Sequence, residues 1–358
     1  MTTIHVPLSE RSYDVEVGAG VREHLASVIA KLAPDAKLAA MVTQDALIAL
    51  PWFSSIDPGI ASIQLSIPEG EDAKSLETIG ILASRLAQAG FSRRDIVVAV
   101  GGGMVSDVAG FLAASFHRGV NYITVATTLL AQVDAAIGGK TGVNIPEGKN
   151  LIGAFHQPLA VLCDSSVLET LDAPALRCGL GEVAKYVLLA GEQGPSLLEL
   201  SRDEQIAACA KMKADVVAGD EREAGKRALL NYGHTFAHAL EAEGLLQRSQ
   251  GARSVVGDLQ HGEAVAIGLA AASRLAMHLG RIDDGAVRWA DEVLTRLGLP
   301  SQLPEGLSAS ELLAHMAKDK KAHHDLTFVL DGPRGIEVVE AVDAEAVRST
   351  LIAMGARS

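Results

Sequence analysis

The chain has 358 residues, with 31 Lys and Arg against 44 Asp and Glu, for a formal net charge of −13. That acidic balance, with no basic stripe, argues against general nucleic-acid binding, and no apolar run approaches the ~20 residues of a membrane span. Hydrophobic residues at 48% and charged residues at 21% are the proportions of a soluble globular protein, and the length suffices for two domains with separate cores. The N-terminus, MTTIHVPLSERSYDVEV, alternates like a strand and lacks the basic start and apolar core of a signal peptide. Leu38–Thr43 and Ser62–Ile67 are apolar runs followed by polar turns and helical stretches, the alternation that builds a parallel sheet with helices packed on it. Pro68–Lys74 follows the second of these and is expected to open a helix. Ile96–Val100 is a continuous apolar run, expected to be a strand buried on both faces, and Gly101, Gly102 and Gly103 follow it directly into an Ala-rich helical pattern. A strand running through glycines into a helix offers bare N–H groups and a positive helix end to a phosphate or pyrophosphate.

Tyr122–Ala126 reads as the next strand and ends in Thr127 and Thr128, whose hydroxyls stand at its tip. Beyond them lie Asp134, Gly138-Gly139-Lys140-Thr141 and Gly148-Lys149-Asn150, which put flexible cations beside the glycine-rich cradle. Two better-known motifs are excluded. A P-loop would need a glycine where Asp134 stands, and Gly101, Gly103 and Ser106 break the G-x-G-x-x-G spacing at its last position.

From about Leu171 the pattern turns helical, and a small hairpin is expected at Leu326–Leu330 and Ile336–Val339 across Asp331-Gly332-Pro333. In RALLNYGHTFAHALE, the residues Arg227, Asn231, His234, His238 and Glu241 are spaced by 4, 3, 4 and 3, which on one helix aligns all five on a single face. A solvated helical face usually carries Lys and Glu; two histidines, an asparagine and an arginine suit a surface that holds an anion beside a metal. Spacing alone points to both His234 and His238 as ligands, although no H-E-x-x-H supports that. Glu182 with Lys185 one turn later, and His261 at the start of an apolar helix, are further helical candidates. Lys213 sits among apolar residues and Lys320-Lys321 in a charge run; a surface position is the plain expectation for each. Cys163, Cys178 and Cys209 form no C-x-x-C and read as reduced thiols of a cytoplasmic protein.

The runs GGGMVSDVAGFLAASFHRG, TTLLAQVD, GGKTGVN, GKN and IGAFHQP resemble 3-dehydroquinate synthase, of the sugar phosphate cyclases, and the likeness extends from Pro68-Glu69-Gly70-Glu71 to Asp319-Lys320-Lys321. It implies an α/β, Rossmann-like NAD-binding domain over residues 1–168 and a mainly α-helical metal- and substrate-binding domain over 169–358, with the active site in the cleft between them. Implied NAD contacts are Glu71, Lys74, Gly102, Gly103, Met104, Asp107, Thr127 and Thr128. Asp134, Lys140, Lys149, Thr170 and Leu171 complete that set. The implied ligands of zinc or cobalt are Glu182, His234 and His261, with His238 moved to the substrate phosphate region.

Implied catalytic and substrate contacts are Lys140, Asn150, Lys213, Arg227, Asn231, Asp134, Lys185 and Lys320, or Lys321 in its place. Arg118 is implied to reach the substrate phosphate of a neighbouring subunit, hence a homodimer, and Glu241 stands near the metal. The implied reaction converts 3-deoxy-D-arabino-heptulosonate 7-phosphate to 3-dehydroquinate and phosphate. It proceeds by transient oxidation by NAD, β-elimination of phosphate, re-reduction, ring opening and aldol closure, with no net redox. The rival readings are a sister cyclase acting on sedoheptulose 7-phosphate, a glycerol-dehydrogenase-type polyol dehydrogenase, and a non-catalytic nucleotide-binding protein. Three features depart from or are not explained by the resemblance: a loose match at 42–46, alanine at 126 where proline is usual, and a long connection at 244–260.

Overall fold

The computed structural model describes residues 1–223, 225–249, 256, 259–319 and 326–358. In chain order the strands and helices begin with β1 (Thr2–Val6), β2 (Tyr13–Val17), α1 (Leu25–Leu32), β3 (Leu38–Gln44), α2 (Asp45–Ile48) and β4 (Ala61–Ile67). There follow α3 (Leu76–Gln88), β5 (Ile96–Gly101), α4 (Gly103–Ser115), β6 (Asn121–Ala126), β7 (Lys140–Ile145), β8 (Gly148–Phe155) and β9 (Ala160–Cys163). The remainder is α5 (Ala173–Leu189), α6 (Gly194–Leu198), α7 (Arg202–Gly219), α8 (His234–Ser249) and α9 (His261–His278), then α10 (Asp284–Arg296), α11 (Ala309–Asp319), β10 (Leu326–Leu330), β11 (Glu337–Val342) and α12 (Ala344–Ala353).

The chain divides into two compact units, Met1–Asp172 with Leu200–Arg222, and Ala173–Glu199 with Glu223–Ser358. Helix α7, beyond the expected boundary at 168/169, therefore packs within the first unit, where it lies against β1 and β2.

The first unit is built on a sheet in the order β1-β2-β9-β6-β5-β3-β4. All neighbours run parallel except the edge pair β1–β2. Every residue of β5 is buried, and its side chains serve two cores because successive residues of a strand point to opposite faces. Val97 and Ala99 join Leu82 and Leu86 of α3 and Val108 and Leu112 of α4. Ile96, Val98 and Val100 join Leu25, Val28 and Ile29 of α1 on the other face. The carboxyl end of β5 thus opens at a fixed point between two helical layers, the usual ligand position in such sheets.

Two expectations for this unit are corrected. Pro68–Lys74 does not open a long helix: Glu71–Ala73 is one 3-10 turn, and α3 begins only after Ser75, whose hydroxyl accepts from the Thr78 N–H. The chain also breaks its α/β alternation after β6, because β7 and β8 pair as an antiparallel hairpin apart from the main sheet.

Among the described residues the second unit is helical, apart from the β10–β11 hairpin expected from the sequence. Its spine is α9, which packs against α5, α8, α10 and α12. Backbones meet where glycines remove the side chain. A Cβ on Gly262 would lie 1.8 Å from the Cys178 carbonyl oxygen of α5, and one on Gly268 would lie 2.1 Å from the Gly233 carbonyl oxygen at the entry to α8. No helix among the described residues is long and apolar enough to cross a membrane.

Candidate active site

In the first unit, β5 delivers Gly101-Gly102 to the amino end of α4, whose first N–H groups have no partner within the helix. Gly102 is the N-cap and supplies no side chain to cap the helix. A Cβ there would come within 2.9 Å of the Thr128 side chain, and one on Gly103 within 3.0 Å of Ala135. Beside this cradle the Thr127 hydroxyl is buried without a hydrogen-bond partner among the described residues, while its N–H donates to the Gly101 carbonyl. Open N–H groups, glycines that let a ligand approach, and an orphaned hydroxyl fit a dinucleotide pyrophosphate. Met104 follows in the first turn of α4, partly buried. Asp107, one turn further, is paired with the buried Lys74 at 2.5 Å. Burial pushes the Asp107 carboxyl up to about 6, with Lys74 opposing the shift.

The 3-10 turn and the β7–β8 hairpin are joined by a residue to which the sequence reading gave no role. Asn144 donates its side-chain N–H to Glu71, takes its backbone hydrogen bond from its own N–H to the Lys74 carbonyl, and accepts from the Asn150 N–H. Glu71, Lys74 and Asn150 thereby become one assembly, with Asn150 in the left-handed region at φ 56°. The GGKTGVN motif contained Asn144, but only the hairpin register shows what it ties together. Lys140 and Lys149 lie on the same hairpin and are exposed.

Asp134 is held in a π-helical turn, Ala131–Ala135, a rare geometry that recurs at functional sites. Lys213 of α7 is buried, not on the surface, and its ammonium lies 2.8 Å from both the Asp134 carbonyl and a carboxylate oxygen. Thr170 uses its hydroxyl locally, donating to the Val167 carbonyl and accepting from the Trp52 indole, with Leu171 beside it. Arg118 is exposed, in a left-handed backbone conformation at φ 64°.

In the second unit the five-residue stripe is corrected. Lys226–Asn231 is a 3-10 turn that ends at Tyr232, whose ψ is 124°, and left-handed Gly233 at φ 79° follows before α8 starts at His234. A left-handed glycine cannot continue a right-handed helix, so Arg227 and Asn231 do not share a face with the histidines. Arg227 is buried, and Asn231 donates to Glu223 at 3.3 Å. His234, His238 and Glu241 remain on one face of α8.

His234 on α8, Glu182 on α5 and His261 at the start of α9 converge, with their ligand atoms within 4.8 Å of one another. Both histidine Nε2 atoms lie 3.4 Å from the same Glu182 oxygen, Oε1. Ligands placed about 2.1 Å from a tetrahedral zinc stand about 3.4 Å apart, so this spacing fits a shared cation better than hydrogen bonds. The tautomers agree. His234 Nδ1 faces the Tyr232 carbonyl at 3.2 Å and His261 Nδ1 faces Glu241 at 3.3 Å; both partners only accept, so each Nδ1 carries the proton and each Nε2 offers a lone pair. Lys185 neutralises the other Glu182 oxygen at 2.5 Å.

Electrostatics follow from this geometry. Burial alone would raise Glu182, but Lys185 and the two histidines hold it well below the usual carboxylate range. Burial lowers His234. Burial would lower His261 too, yet with no metal present the facing carboxylates of Glu182 and Glu241 outweigh it and push the ring up to about 10. His238 is exposed and stands outside the converging set, which is the Glu182, His234 and His261 that the resemblance implied and not the i, i+4 pair that spacing alone suggests. Lys320, Lys321 and most of the 250–258 stretch of the long connection lie outside the described residues.

Residues 64–178 match the model of the 3-dehydroquinate synthase N-terminal family and residues 179–322 that of the C-terminal family. The chain is 46% identical over 351 residues to a protein of Amycolatopsis mediterranei (strain S699) named "Putative aminodehydroquinate synthase", covering 98% of this chain and 94% of that one. It is 43% identical over 375 residues to the 3-dehydroquinate synthase of Nitrobacter hamburgensis, covering 98% and 95%. Among solved structures, 2-epi-5-epi-valiolone synthase from Streptomyces hygroscopicus subsp. jinggangensis 5008, with NAD+ and Zn2+ bound, superposes with a TM-score of 0.80 at 27% identity, covering 97% and 98%. A likeness that spans both units and takes in the converging Glu182, His234 and His261 identifies the chain as a member of the 3-dehydroquinate synthase family.

Proposed function

We propose that the chain converts 3-deoxy-D-arabino-heptulosonate 7-phosphate to 3-dehydroquinate and phosphate. The observation that carries this reading is the convergence of Glu182, His234 and His261 in a chain that belongs to this family over both of its units. When bound, NAD accepts and returns one hydride, and a divalent zinc or cobalt ion supplies Lewis acidity toward the substrate oxygens.

The chain's own residues do the rest. Glu182, His234 and His261 hold the metal, while Lys185 takes up the second oxygen of Glu182 and leaves Oε1 for the ion. The α4 amino end with Gly102, Gly103 and Met104, together with Thr127 and Thr128, receives the dinucleotide; Glu71, Lys74 and Asp107 act beside it, and Lys149, Thr170 and Leu171 complete that role. Lys140, Asn150, Lys213, Arg227, Asn231, His238 and one of Lys320 or Lys321 bind the carboxylate and phosphate of the substrate. Asp134 pairs with Lys213 and orients it. The reading requires both ligand sets to act on one substrate. We further propose a homodimer, in which exposed Arg118 serves the phosphate of a second copy, and a reducing cytoplasmic setting, in keeping with the buried free Cys163, Cys178 and Cys209.

A second reading has its own support in the 46% identity to the aminodehydroquinate relative: the substrate is the amino analogue of the heptulosonate phosphate. Purified protein is given each substrate, with and without a chelator, and phosphate release, product mass and NADH absorbance are followed. Chelator-sensitive release with 3-dehydroquinate as product and no net NADH supports the first reading. Turnover of the amino compound at a much higher kcat/KM moves the specificity to the second. Cyclisation of sedoheptulose 7-phosphate alone makes the chain a sister cyclase, and net NADH from a polyol makes it a dehydrogenase.

A further inference from the structure

We infer that Tyr232 and Asp331 are positioning residues for the metal ligand His234, a role that rests on the reading of Glu182, His234 and His261 as the metal site. The backbone carbonyl that accepts from His234 Nδ1 belongs to Tyr232, two residues earlier and on the far side of Gly233. Gly233 is left-handed at φ 79°, so the ligand's own helix does not hold this peptide. The hold comes through the Tyr232 side chain. That side chain is fully buried, and its phenol donates a hydrogen bond to the Asp331 carboxylate, 99 positions along the chain.

Asp331 is itself fixed. It follows β10 directly, at the turn of the hairpin, and its carbonyl accepts from Arg281 Nε at 3.0 Å. The Arg281 guanidinium is paired in turn with Glu337 of β11. The hairpin is seated on α8 through Phe328 and Phe236, whose rings stand 5.1 Å apart. A continuous line therefore runs from β11 through Arg281, Asp331 and the Tyr232 phenol to the carbonyl that sets the His234 tautomer. His261 is oriented differently, by the carboxylate of Glu241. For His234 the acceptor is a peptide, and a peptide in a turn is only as well placed as its neighbours hold it. Removing the phenol hydroxyl leaves that carbonyl in the chain but releases its anchor.

The variants are Tyr232→Phe and Asp331→Leu, each of which removes one partner of that hydrogen bond and keeps the approximate size of the side chain. Three quantities are measured: zinc dissociation constants by competition with a chelating dye, the visible spectrum of the cobalt-loaded protein, and melting temperatures with and without metal. Each variant is expected to bind zinc about tenfold more weakly, the lower end of the effect of losing an outer partner of a metal ligand. Each should shift the cobalt bands, and excess zinc should recover most of the lost kcat with KM unchanged. The double variant should be no worse than either single one, since both cut the same bond. A purely structural role would lower the metal-free melting temperature but leave zinc affinity and the cobalt spectrum as in the wild type, and that result overturns the inference. Should Tyr232→Phe fail to fold, Asp331→Leu decides the matter alone. His261→Ala is the control. If it removes metal binding while the two variants do not affect it, only the positioning role fails; if it binds zinc like the wild type, the metal reading itself fails.

Discussion

His261 carries an electrostatic consequence that can be tested directly. Two carboxylates, Glu182 and Glu241, face its ring and push it up to about 10 from an ordinary 6.5. A raised folded-state value means that the metal-free protein gains stability from this proton below about pH 6.5 and loses that gain as pH rises toward 10. Melting temperatures of chelated protein should therefore fall across that window, and zinc, which takes the proton's place at Nε2, should flatten the slope. A chelated His261→Gln variant should show no such fall. Lys213 and Asp134 make a second residue-scale prediction. Removing one partner leaves the other charged in a largely buried place, so Lys213→Met should cost about 10²–10³-fold in kcat/KM. Asp134→Asn in the same background should add little, which a double-mutant cycle on purified protein would measure.

At the level of elements, the metal geometry is set by how closely helices approach α9. Gly262 is the residue after His261, and a methyl there meets the Cys178 carbonyl of α5 at 1.8 Å, against backbone that cannot yield. Gly262→Ala must push α9 off α5 and widen the gap between His261 and Glu182. Overpacking of this kind costs about 1–3 kcal/mol, so the variant should melt several degrees lower and bind zinc more weakly than its loss of stability accounts for. Thermal unfolding with a zinc titration tests both. The elements also show where sequence patterns mislead. The 4-3-4-3 spacing from Arg227 to Glu241 is genuine, but one left-handed glycine divides it between a 3-10 turn and a helix. A period is evidence for a helix only as far as the backbone can continue.

For the whole molecule, the two ligand sets fall in different compact units: the glycine cradle in the first, the histidine–carboxylate cluster in the second. Zinc at 100 times its dissociation constant should stabilise by about 2.7 kcal/mol. Hydrogen exchange should register that protection in α5, α8 and α9, and NAD should slow exchange instead at the β5–α4 junction. Exchange of both ligands' effects between those segments would contradict the assignment. The sequence alone determined the buried β5 and its glycine exit, the late hairpin, the helical character of the second half and the residue types of the histidine–carboxylate cluster. These are legible because burial, period and local chain flexibility depend on near neighbours along the chain. The spacing of His234 and His238 could not say which of them joins Glu182 and His261; the family resemblance implied His234, and the tertiary structure brings His234 to the cluster and leaves His238 exposed. Tertiary structure alone decided that Lys213 is buried against Asp134, that Asn144 joins Glu71 to Asn150, and that α7 packs with the first unit. Each depends on contacts between residues far apart in sequence, which spacing along one segment does not encode.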